Sequence, residues 1–72
     1  MRAMMVMKEA IAFHEDRDGV VEGIRYAQAT FDVYCEALNG DKKHHLKLPQ
    51  YRYITIASMI ACEEYLSSFK KD

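Results

Sequence analysis

The chain has little of what most function classes require. Its longest uninterrupted apolar run is Ala3–Met7, and Ile54–Cys62 is too short and too dotted with hydroxyls to span a bilayer, which takes about 20 apolar residues. The start carries one arginine and a brief methionine-rich segment, without a signal peptide's length or cleavage site. A cytoplasmic protein with no membrane partner is therefore expected. The net charge of −1 gives no global field for nucleic acid or an anionic surface. Two cysteines are too few for a disulfide scaffold. One proline and three glycines leave long stretches free of helix breakers.

What is present is the balance of a globular domain: half the residues are apolar and 29% are charged. At 72 residues the whole chain is expected to form one domain, 1–72, of a size that buries only ~60% of its unfolded surface. Oligomerisation is a common way to make up that shortfall. Charge is unevenly spread. Residues 1–40 carry −3 and residues 41–72 carry +2, a difference that steers only at close range.

The strongest pattern runs from Val20 to Leu38. Val20, Ile24, Ala27, Phe31, Tyr34 and Leu38 recur at alternating spacings of four and three, an apolar seam that needs a partner helix. Asn39-Gly40 marks its end. A first helix is expected over Arg2–Glu15. Its positions Ala3, Val6, Ala10 and Phe13 continue the same register if Arg17 takes one seam position. That allows either one continuous helix or two helices broken near Gly19. Local chemistry favours the break: Asp16 or Asp18 can cap the next helix, and acids crowd its positive end. Gly19 and Gly23 would each cost up to ~1 kcal/mol inside a continuous helix.

A polar, basic connection, 41–50, is closed by the only proline, Pro49, which suits the first turn of a third helix from Gln50 or Tyr51 to about Lys70. The stretch Tyr51–Ile56 has strand propensity but no second strand to pair with. The expected fold is all-α: an antiparallel hairpin of residues 18–39 and 51–70, plus an N-terminal helix. Pairing Asn39 with Tyr51 sets Cys35 near Thr55 and Cys62 near Gln28. That is ~10 Å apart along the axis, too far for a disulfide.

No residue set carries a reaction. His14 with Asp18, and His44 and His45 with Asp41, are ligand types without ligand spacing. Glu63 and Glu64 are sequence neighbours that point about 100° apart on a helix, so they are no acid/base pair. Neither a phosphate-cradling glycine loop nor a nucleophile with its base is visible. A non-enzymatic protein without metal or cofactor is expected.

Two surfaces remain. Lys42, Lys43, His44, His45, Lys47 and Arg52, with Tyr51 and Tyr53 nearby, combine phosphate-neutralising cations with stacking aromatics, as a nucleic-acid or acidic-partner contact needs. The same residues equally make a solvated loop. The third helix is apolar nearly all round at its start. Tyr53, Ile56 and Ile60 lie opposite the stripe Met59, Cys62, Tyr65, Leu66 and Phe69. All-round apolarity implies burial from more than one direction. Tyr53, Ile56 and Ile60, with Arg17 as a candidate pairing residue, are therefore the expected interface. The leading expectation is a small interaction module, a regulator, adaptor or inhibitor of the kind compact bacterial and phage genomes encode. It is expected to self-associate and to bind another protein; the alternative is a nucleic-acid-binding accessory protein.

Overall fold

The computed structural model describes residues 2–39 and 49–69. These form three helices packed against each other: α1 (Arg2–Asp18), α2 (Val20–Asn39) and α3 (Pro49–Ser67). Pro49 opens α3, where its missing N–H leaves no intrahelical bond unmade. The end of α3 tightens, with the Ser68 N–H 3.2 Å from the carbonyls of Glu64 and Tyr65 and the Ser68 hydroxyl donating to the Tyr65 carbonyl at 2.6 Å. Asn39 closes α2 by donating its side-chain amide to the Cys35 carbonyl at 2.9 Å.

The chain breaks at Gly19, and glycine itself makes the joint. Gly19 has φ +100°, a backbone conformation that costs any L side chain about 1–3 kcal/mol. Its N–H completes α1 by donating to the Glu15 carbonyl at 2.8 Å, and its carbonyl accepts the Gly23 N–H at 3.1 Å to begin α2. Asp18, expected as a possible cap, belongs to α1 and turns its carboxylate to Arg17 instead, 2.8 Å away.

The joint also resets the helical phase. α1 does not carry the seam of α2 through Arg17. Val6 and Phe13, both expected on the inner face, are each 57% exposed, while Met7 and Ile11 are buried. Met4, Met7, Ile11 and His14 follow three- and four-residue spacing of their own. A register holds only along one unbroken helix, and the left-handed residue ends it. In α2 the seam faces inward from Ile24 to Leu38, with Ala27 fully buried; Val20, beside the joint, is exposed.

Named contacts fix how the helices run. Tyr65 and Glu15 both meet Gly23 at the start of α2, whereas Tyr34 near its end shares a groove with Met7, Ile54 and Ser58. So α2 runs opposite to both α1 and α3. Lys8 reaches Glu64 at 3.1 Å between the two parallel helices. The core between them is Met7, Ile11, Ala27, Ala61 and Cys62, flanked by Met4, Tyr26, Phe31, Tyr34, Tyr65 and Leu66. Cys35 and Cys62 are both free thiols, the first half-buried and the second buried.

All three helices meet at Gly23. A Cβ there would collide with the Tyr65 hydroxyl and lie 3.0 Å from Glu15 Cβ. The glycine that looked costly for a helix interior is what allows α1, α2 and α3 to meet.

Candidate interaction surface

Over residues 53–62, α3 turns mostly small side chains inward and leaves large ones outward. Thr55, Ala57, Ser58, Ala61 and Cys62 are buried. On the opposite side Tyr53 is 61% exposed, Ile56 43% and Ile60 41%. Residues 53, 56 and 60 follow three- and four-residue spacing, so they form one ridge about 10 Å long. Small inner residues let the α3 backbone approach α1 and α2 closely. Tyr53, Ile56 and Ile60 fall on the outer face, whereas Tyr65 and Leu66, further along α3, pack against the core.

α1 does not leave the ridge bare by being too short. With 17 residues it extends ~25 Å, from Glu15 beside Tyr65 to Arg2 and Ala3 beside Ile54 and Ser58. α1 therefore lies along α3 from Tyr65 back to Ile54. The ridge is open because it points away from both neighbouring helices. Charge flanks it at both ends: Arg52 near the start, Glu63 and Glu64 near the end, with Glu64 held by Lys8.

Arg17 lies elsewhere, at the Gly19 joint. Its guanidinium pairs with Asp18 at 2.8 Å and sits 5.1 Å from the centroid of the Phe13 ring. The Arg17 hydrogen bond holds the Asp18 carboxyl below its usual range, against the opposing effect of desolvation. Arg17 and the ridge are thus not brought together. Nearby, His14 stacks on Tyr26 with ring centroids 4.1 Å apart. Lys42, Lys43, His44, His45 and Lys47 lie outside the described residues; Arg52, described and exposed, is on α3.

Two further features were missed from sequence. A groove of about 380 Å³ opens between the helices, lined by Arg2, Ala3, Val6, Met7, Tyr34, Ile54 and Ser58. It needs three helices in place, and no spacing within one of them signals it. The Tyr65 hydroxyl is buried against Gly23 beside Glu15; burial and then the neighbouring Glu15 carboxylate push its pKa up. Among the described residues no three metal-ligating side chains cluster, and no helix is long and apolar enough to cross a membrane. Compared with known proteins, the chain matches no family model, and no curated protein or solved structure is significantly similar to it.

Proposed function

We propose that the chain is a small, non-enzymatic interaction module that works by having the α3 ridge covered by another protein surface. One observation carries this reading: Tyr53, Ile56 and Ile60 form a continuous exposed ridge on a helix whose small side chains are buried. Single exposed apolar residues are ordinary, but a clustered ridge rimmed by charge is how interaction sites are built. Aromatic and branched anchors ringed by polar residues supply most of the affinity in such contacts. The two thiols, one buried and one half-buried, suit a reducing compartment such as the cytosol.

A photo-activatable cross-linking residue in place of Ile56, expressed in the native cell, tests this. A discrete protein adduct at Ile56, with none from the same group in place of exposed Glu36 on α2, is expected. No adduct at Ile56, or equal yields at both positions, contradicts it. The nucleic-acid alternative rests on the basic connection around Lys42–Lys47 and on Arg52. It requires binding to generic DNA or RNA that falls steeply as salt rises.

A further inference from the structure

We infer that the surface covering the ridge is a second copy of this chain, laid antiparallel across α3 about a two-fold axis near Ala57 and Ser58. The inference rests on the interaction reading above and names its occupant. Its basis is a coincidence of position along α3. Arg52 and Glu63 are eleven residues apart, close to three helical turns, so they project from the same flank of the helix. Their midpoint falls between residues 57 and 58, and the midpoint of Ile56 and Ile60 falls at 58. One two-fold axis therefore does two things together. It sets Ile56 of one copy against Ile60 of the second, and Arg52 of one copy level with Glu63 of the second. The operation repeats both pairings on the other side of the axis, as an isologous contact must.

The charge pattern selects this arrangement over its competitors. A parallel second copy puts the Arg52–Glu63 flanks of the two chains on opposite sides of the contact, level with like charges, so neither residue meets an opposite charge on that flank. A uniformly acidic partner suits the Arg52 end and is repelled at the Glu63 end; a uniformly basic one has the reverse difficulty. A partner that matches both ends carries the same ridge with its charges reversed in direction, which a turned copy of this helix supplies. Glu64 is already held by Lys8 at 3.1 Å from α1, leaving Glu63 as the acid on the outward flank. The monomer also has reason to associate. Its largest fully buried side chains are Ile11 and Cys62, a thin core for a three-helix domain. A contact of one helix on each side lies at the low end of specific interfaces, below about 1,200 Å² in total, so a micromolar dimer is expected.

Sedimentation of the full chain from about 1 to 100 μM, with Arg52→Glu, Glu63→Arg and the double exchange, tests the inference. Each single reversal puts two like-charge pairs into a dimer and is expected to weaken it about tenfold or more. The double exchange restores the wild-type dissociation constant within about threefold. All substituted residues are exposed, and circular dichroism checks that the helices persist. A wild type that stays monomeric, or a double exchange no better than the singles, overturns the inference. A monomer that still cross-links to a foreign protein through position 56 leaves the interaction reading standing. A monomer with no adduct there removes both.

Discussion

α2 and α3 are similar in length and both rich in apolar residues, yet they place them in opposite senses. α2 turns its seam inward from Ile24 to Leu38 and shows a largely polar outer face, interrupted by Val21 and Val33. α3 buries hydroxyls, alanines and a thiol and shows tyrosine and isoleucine. The difference teaches that periodicity locates a stripe but does not say whether the stripe is inside. In α2 the polar remainder decides the matter. In α3 nothing charged occupies positions 53–62, so packing volume decides it. Ala61 and Cys62 pack beside Ala27 and Ile11, while Tyr53, Ile56 and Ile60 stay outside.

The largest expected effect comes from the inner side of this contrast. Ile11, 1% exposed, is one of the two largest fully buried side chains, and Ile11→Ala should cost about 3–4 kcal/mol. A domain this small has roughly 5 kcal/mol in total, so a urea titration should find the variant largely unfolded at low denaturant. A midpoint near that of wild type would show the core to be wrongly placed.

Adjacent positions on α3 give the sharpest contrast. Ala61→Leu forces a large side chain against Ala27 and Cys62 and should destabilise by about 2–3 kcal/mol. Ile60→Ala, one residue away but facing outward, should change the stability of the monomer by less than about 1 kcal/mol. Equal losses at 60 and 61 in dilute thermal melts would erase the distinction between the faces.

These contrasts also show what the sequence made legible. The all-helical fold, the joint near Gly19 and the inward face of α2 follow from spacing and punctuation, which are local properties. The inner face of α1 did not, because the register was carried across Gly19, whose positive φ turns the chain out of phase. Ile11 and Met7 could have been found by reading α1 alone. The exposed Tyr53, Ile56 and Ile60 were legible as an excess of apolar surface. Their outward direction depends on Thr55, Ser58 and Cys62, a small-residue face visible in the sequence once sought. Gly23 needed the fold, since its meaning lies in Glu15 and Tyr65 from two other helices.

Gly19→Ala tests the joint on which this phase change depends. It should cost about 1–3 kcal/mol through backbone strain alone, since a Cβ there meets nothing within 4 Å. Unchanged stability in a denaturant titration would mean that the helices connect without the left-handed residue.

A smaller effect is expected from pH. Burial pushes the Cys62 thiol up, and burial with Glu15 pushes the Tyr65 hydroxyl up. Both folded values lie above the unfolded ones, so their contribution is fully present below the unfolded pKa and is lost as pH rises. Stability should be flat to about pH 8 and then decline as unfolded thiols ionise near pH 8.5 and phenols near pH 10. Cys62→Ala should flatten the first part of that decline. An alkaline denaturation curve with the same slope in both proteins would contradict the burial of the thiol.

The central claim is that the outer ridge of α3 is an interface, and sedimentation of wild type beside Ile56→Lys tests it most directly. The account predicts two chains for wild type at tens of micromolar, falling to one on dilution. It predicts one chain at every concentration for Ile56→Lys, with helical content intact because residue 56 faces solvent in the monomer. A wild type that is one chain throughout, or an Ile56→Lys variant that stays dimeric, would contradict self-association through this ridge.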